Sequence, residues 1–206
     1  MKPKAIETMA AAPTKLLIID AGHGGADGGA VSASGQKESE INIDIALKMK
    51  ALADFLGLKS CLTRTSEELP YPDDLGTITE KKRWDQNQRL NLIASSDNPV
   101  FISIHQNFYP DKRPYGPQVL YGAENGSEEL GKLCHDALNT LLCPDNRRVA
   151  APCSDKIYLM KNAHCPAILI ECGFMSNPNE LSRLLSKEYQ CKIASIIVES
   201  YIAYIA

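Results

Sequence analysis

The chain has 206 residues, with 22 Lys and Arg against 25 Asp and Glu, for a formal net charge of −3. This length fits one domain, and 44% hydrophobic with 23% charged residues is enough to bury a core, which excludes a disordered tail. The mildly acidic balance excludes a binder that relies on neutralising nucleic-acid phosphates, and no apolar run approaches the roughly 20 residues of a membrane span.

Residues 1–15 read as a flexible, Ala-rich extension without the apolar stretch of an export signal, leaving one domain over 16–206. The apolar run 16–20 fits a strand buried on both faces. A glycine-rich turn follows over 22–35, then Ile41, Ile45, Leu47, Met49, Leu52 and Leu56 recur at helical spacing over 38–56, where Gly57 stops the helix. A strand over 60–64, a loop over 65–79 with Pro70 and Pro72, and a helix over 80–95 come next. Strands are predicted over 100–105 and 118–121, a helix over 128–142, strands over 157–160 and 167–171, and two closing helices over 179–186 and 188–205. Strands alternating with helices predict an α/β fold: a single twisted, mostly parallel sheet of about six strands covered by helices on both faces.

Seven cysteines form an odd set without a C-x2-C pair, neither a disulfide framework nor a thiolate zinc site. They read as free thiols serving mostly as small buried hydrophobes.

Three apolar strands end on residues that suit a metal. The first leads within three residues to His23, the third runs into His105, and the last closes on Glu171. In a parallel sheet the carboxyl ends of the strands form the ligand-binding rim, so these three residues converge there. Glu38 and Glu40, at the start of the first helix, face the same rim after the glycine turn, and spacing alone leaves the choice between them open. Two imidazoles and a carboxylate suit a tetrahedral zinc with one open position, and a further carboxylate must handle the proton of the attacking water. Glu171 is costly to bury without a positive partner or metal, while Gly24, Gly25, Gly28 and Gly29 let the backbone around His23 approach a ligand closely. His135 reads as a surface residue, and His164 as at most a substrate contact. Cys172, one residue past Glu171 on a strand, should point to the other face and is no nucleophile. Neither nucleotide-loop pattern, no G-x-S-x-G elbow and no H-E-x-x-H helix is present.

At these residues the sequence resembles the zinc-dependent N-acetylmuramoyl-L-alanine amidases of the amidase_3 type. Asp20-Ala21-Gly22-His23-Gly24-Gly25 with Asp27-Gly28-Gly29-Ala30 is similar to that family's opening motif, and Glu38-Ser39-Glu40-Ile41-Asn42 to its Glu-led helix start. Ser103-Ile104-His105-Gln106-Asn107 matches its second histidine motif, and Pro166 through Glu171-Cys172-Gly173-Phe174-Met175-Ser176-Asn177-Pro178 its closing motif. Thr63-Arg64 and the stretch 89–94 also fit. The resemblance implies that His23, Glu38 and His105 bind Zn2+, with Glu38 rather than Glu40 in the ligand position, and that Glu171 is the catalytic carboxylate. It implies hydrolysis of the amide between the lactyl group of N-acetylmuramic acid and L-alanine in peptidoglycan, with Asn107 and the backbone at Gly24 as substrate contacts. It also implies a cell-envelope or exported setting, with targeting left to a protein partner or a lost anchor, since no wall-binding repeats are attached.

Two features bear on subfamily. Asn146-Arg147-Arg148-Val149 departs from the family's Asn-Arg-Gly, and together with a strand over 157–160 it looks most like the sporulation-type cortex amidases. The loop over 106–117 is too short for the blocking helix of regulated division amidases, so no built-in lid is expected. Two other classes compete. A zinc carboxypeptidase would want an arginine at the site, from Arg64, Arg83, Arg89, Arg147 or Arg148; a non-catalytic wall-binding module would usually have lost one of the four site residues, all present here.

Overall fold

The computed structural model describes residues 15–206, so the expected extension falls, but for Lys15, outside the described residues. The elements in chain order are β1 (Leu16–Ala21), α1 (Glu38–Phe55), β2 (Ser60–Leu62), α2 (Ile78–Ser95), β3 (Pro99–Asn107), β4 (Gln118–Tyr121), α3 (Ser127–Leu142), β5 (Ala151–Pro152), α4 (Tyr158–Asn162), β6 (Ala167–Phe174), α5 (Pro178–Leu184) and α6 (Lys187–Ile205). They form one six-stranded sheet in the order β2-β1-β3-β6-β4-β5. β2, β1, β3 and β6 run parallel; β4 pairs antiparallel to β6, and β5 parallel to β4. The mostly parallel α/β expectation holds, with one reversal at β4.

Side-chain alternation divides the core into two layers. Leu17, Ile19, Val100, Ile102, Ile104, Ile168 and Ile170 pack under α1, α3 and α6, against Ile41, Ile45, Met49, Leu130, Leu138, Ile193, Ile197 and Tyr201. Ile18, Phe101, Ala167 and Leu169 face the other way, against Ile93 of α2 and Met160 of α4. Burying each large aliphatic side chain contributes about 1.5–3 kcal/mol, so both faces of the central strands are committed to packing.

This alternation continues past the apolar residues into the polar ends. On β3, His105 follows Phe101 and Ser103 on the α2/α4 face; on β6, Glu171 follows Ala167 and Leu169. Register pairs His105 directly with Glu171, which brings them together on one face of adjacent strands. Cys172 turns to the opposite core, buried, as alternation requires.

Helix α2 starts at a capping box, in which Thr77 Oγ1 accepts from the Glu80 amide (3.2 Å) and Glu80 Oε2 accepts from the Thr77 amide (2.9 Å). That start places Lys82, Asp85, Gln86 and Arg89 on one stripe, and all four line the cavity at the strand ends.

The segment expected as a strand over 157–160 is instead the start of a helical turn. Ile157 N–H donates to Ser154 O (3.0 Å), Lys161 N–H donates to Ile157 O (3.0 Å), and Met160 alone of the turn is fully sequestered in the core. A four-residue apolar run reads equally as strand or helix by periodicity. The sixth strand is the two-residue β5. His135 is a second correction: it is 1% exposed, and its Nε2 donates to Arg148 O at 2.8 Å, so it holds the segment before β5 against α3.

Candidate metal centre

His23, Glu38 and His105 form the one group among the described residues whose ligand atoms suit a metal, with those atoms within 4.8 Å of one another. Glu38 lies between the imidazoles: its Oε1 accepts from His105 Nδ1 at 2.8 Å, and its Oε2 lies 3.3 Å from His23 Nε2. Backbone amides complete its shell, from Gln106 to Oε1 (3.0 Å) and Ala30 to Oε2 (2.9 Å). The rings of His23 and His105 meet edge to face at 4.9 Å. Glu40 is exposed, and its carboxylate accepts only from the Lys37 amide, so of the two carboxylates it is Glu38 that stands between the imidazoles.

The fit to a metal rests on two observations besides the donor set. Buried Glu171 Oε2 has no hydrogen-bond partner, though a buried carboxylate oxygen ordinarily finds one. The cradle is also built close: a Cβ on Gly29, at φ +68°, would lie 2.6 Å from Glu38 Oε2 and 2.7 Å from the His23 ring, and one on Gly22 would lie 2.2 Å from His105 Nε2. These glycines let the loop press against the ligands.

Buried cations from distant segments hold the His23 loop. Arg89 of α2 donates to Asp20 Oδ1 (2.8 Å), Ala21 O (2.9 Å), His23 O (2.7 Å) and both oxygens of Asp85 (3.1 and 2.6 Å). Arg64, just past β2, donates to Ala21 O (2.9 Å), Gly22 O (3.2 Å) and Ser39 O (2.7 Å). Asn42 of α1 adds a bond to Gly22 O and accepts one from Gln106. Tyr71 brackets the same loop: its hydroxyl donates to Gly24 O and accepts from the Ala26 amide.

Electrostatics follow from this crowding. Burial works against charge on Glu38, but the two imidazoles outweigh it and hold the carboxyl well below its ordinary range. Burial likewise works to lower His23, and the bonds to Asp27 and Glu38 overcome it, raising the imidazole to about 9. For Glu171 burial wins: with Glu38 reinforcing it and His105 opposing it, the carboxyl rises to about 7. A site that draws positive charge toward Glu38 while keeping the neighbouring Glu171 able to exchange a proton near neutral pH suits metal-assisted hydrolysis.

The site opens into a cavity of about 270 Å³ on the α2/α4 face, which His23, His105 and Glu171 line together with Lys82, Gln86, Lys156, Leu159 and Leu169. Asn107 ends β3, and its carbonyl accepts from the Met175 amide at 2.8 Å. Gly24 closes the loop, with its amide on Asp27 O and its carbonyl on Tyr71. His164 is exposed, beside Glu124 at 3.5 Å. The seven thiols are all free. No helix forms between β3 and β4. Sequence reading quotes Asp27, Arg64 and Arg89 within motifs without giving them this holding role, and it misses Lys82; the visible signal for Asp27 was an acid four residues after His23 in a glycine loop.

A His2Glu group at the carboxyl ends of parallel strands, beside a second carboxylate in a cleft, is an arrangement that suits a metal-assisted hydrolase. The model of the Amidase_3 family, N-acetylmuramoyl-L-alanine amidase, matches residues 17–202, and the chain belongs to that family. It is 34% identical over 191 residues to a germination-specific N-acetylmuramoyl-L-alanine amidase of Bacillus subtilis, covering 92% of this chain and 79% of that protein. It is 25% identical to the amidase LytC of the same organism over 91% of this chain, which spans 35% of LytC. Among solved structures, the CwlD amidase of Clostridioides difficile in complex with the GerS lipoprotein superposes with a TM-score of 0.88 at 34% identity, covering 94% of this chain and 98% of that one.

Proposed function

We propose that the protein hydrolyses the amide joining N-acetylmuramic acid to L-alanine in peptidoglycan, with His23, Glu38 and His105 holding one Zn2+ and Glu171 as the catalytic carboxylate. The observation that carries this reading is the juxtaposition of Glu171 with the three-ligand group, on a register pair at the mouth of a cleft. Zinc in such a site supplies a Lewis acid for the amide carbonyl and lowers the pKa of water toward neutrality.

The remaining chemistry belongs to the chain. Glu171 accepts the proton from the attacking water and returns it to the departing L-alanine nitrogen as the carbon–nitrogen bond breaks, leaving a lactyl carboxylate and a free amine. Burial raises this carboxyl above its ordinary value, which favours its holding the proton between the two transfers. Leu159 and Leu169 offer apolar contact to the substrate, and Lys82, Gln86 and Lys156 polar contact. The carboxypeptidase alternative finds no support here: Arg89 is the one arginine lining the cavity, and its fork is consumed by Asp20, Asp85 and backbone carbonyls.

The relatives point to a spore-cortex setting outside the cytoplasm, and the GerS complex of the CwlD amidase favours a lipoprotein-like activating partner. No helix among the described residues is long and apolar enough to cross a membrane. The direct test is Glu171→Gln, which keeps fold and zinc but lowers turnover by about 10²–10⁴-fold; His23→Ala loses zinc as well. Turnover near that of the parent in Glu171→Gln would remove Glu171 from this role.

A further inference from the structure

His23 is held in an unusual way. Its backbone lies at φ +59°, a left-handed conformation that non-glycine residues adopt only where surroundings enforce it. A short antiparallel bridge between Gly24 and Asp27 closes the turn, with bonds of 2.8 and 3.1 Å. This turn brings the Asp27 carboxylate back onto its own loop, where it does three things. Its Oδ2 accepts from His23 Nδ1 at 3.0 Å, its Oδ1 accepts from the Gly29 amide at 3.2 Å, and Lys82 Nζ of α2 reaches Oδ2 at 2.8 Å.

The geometry points to Asp27 and Lys82 as positioning residues for the metal centre. The two nitrogens of an imidazole diverge, so a carboxylate that accepts from Nδ1 turns Nε2 toward Glu38, 3.3 Å away, where it is the nitrogen left to bind a metal held between them. Asp27 is therefore no fourth ligand; it fixes the tautomer and the ring direction of one. Through Gly29 it also fixes the backbone that abuts both Glu38 and His23. Lys82, 46% exposed and 55 positions along the chain, ties this arrangement to α2, the helix that also anchors His23 O through Arg89. Carboxylates that orient a ligating histidine in this manner typically change metal affinity by about 10–100-fold when removed.

This inference rests on the proposed metal centre, and the experiment separates the two. Zinc dissociation constants are measured by chelator competition on the full chain for the parent and for His23→Ala, Asp27→Ala, Asp27→Asn, Lys82→Ala and the Asp27→Ala/Lys82→Ala pair. Failure of the parent to bind zinc, or tight binding by His23→Ala, overturns the metal centre and the positioning role with it. Given a parent that binds and a His23→Ala that does not, Asp27→Ala weakens binding about 10–100-fold. Asp27→Asn, whose amide oxygen still accepts from Nδ1, recovers part of that loss and serves if the alanine variant fails to fold. Lys82→Ala weakens binding by about two- to fivefold, as a half-exposed pair allows, and adds nothing in the Asp27→Ala background. Binding within threefold of the parent in both Asp27 variants, or a Lys82 effect undiminished without Asp27, would overturn the positioning role.

Discussion

Removing Arg89 tests how the fold carries the site. Its guanidinium is 3% exposed and pairs with Asp20, fully buried, and Asp85, 13% exposed. Arg89→Ala leaves both carboxylates sealed without their cation and frees the carbonyls of Ala21 and His23. Breaking a buried pair from one side costs about 3–5 kcal/mol, a large share of the about 5–15 kcal/mol that stabilises a domain. Arg89→Lys restores the charge but not the fork that spans four groups, and loses about 1.5–3 kcal/mol through the charged hydrogen bonds it cannot make.

The loss depends on pH with a definite sign. Burial opposes ionisation of Asp20, yet Arg89, Ser103 and Thr63 outweigh it and hold the carboxyl below its ordinary value of 3.8. In the parent, Asp20 thus stabilises the fold above that value and ceases to do so as pH falls through its lower folded value. Without Arg89 the same carboxyl rises, and Asp85, already pushed up by burial, rises further. Both then protonate on mild acidification, which relieves the variant's penalty. Urea unfolding of parent and variant at pH 7 and pH 4.5 therefore gives a stability gap that narrows at the lower pH. A gap under about 1 kcal/mol at pH 7, well short of the buried-pair cost, or one that widens on acidification, would refute the reasoning.

Other consequences follow from single positions. Gly29→Ala forces a Cβ against Glu38 and His23 at φ +68°, so zinc content falls sharply by metal analysis, and thermal unfolding shows about 1–2 kcal/mol of lost stability. Glu180, buried, accepts from the amides of Gly116 (2.8 Å) and Phe174 (3.0 Å); Glu180→Ala strands both donors and costs about 2–4 kcal/mol in denaturant melts. Cys172→Ala removes a buried thiol that faces the α1/α3/α6 core, so it costs about 1–2 kcal/mol in stability while turnover per folded molecule, measured on peptidoglycan, stays at the parent value.

What the sequence reveals depends on how local the cause is. The buried strands announce themselves as apolar runs, and the polar residue closing each run marks the rim, so His23, His105 and Glu171 are legible from β1, β3 and β6 alone. Glu38 is legible only as one of two carboxylates, since the Gln106 and Ala30 amides that set it between the imidazoles are not visible in its spacing. Arg64 and Arg89 are legible as motif residues but not in their role, because their targets, carbonyls of Ala21 to His23, lie 42 to 68 positions away and carry no side-chain signature. The stretch 157–160 misleads because four apolar residues satisfy either period, and the turn at Ser154 settles it. His135 misleads because polar neighbours on its helix suggest solvent, while the carbonyl of Arg148 meets it in the interior.

The central claim is tested most directly by mass spectrometry of purified peptidoglycan digested by the full chain with zinc, with and without a chelator. The account predicts released stem peptides bearing a free L-alanine amine, lost on chelation and lost in Glu171→Gln. Intact muropeptides from a zinc-loaded enzyme, or cleavage that survives chelation, would contradict it.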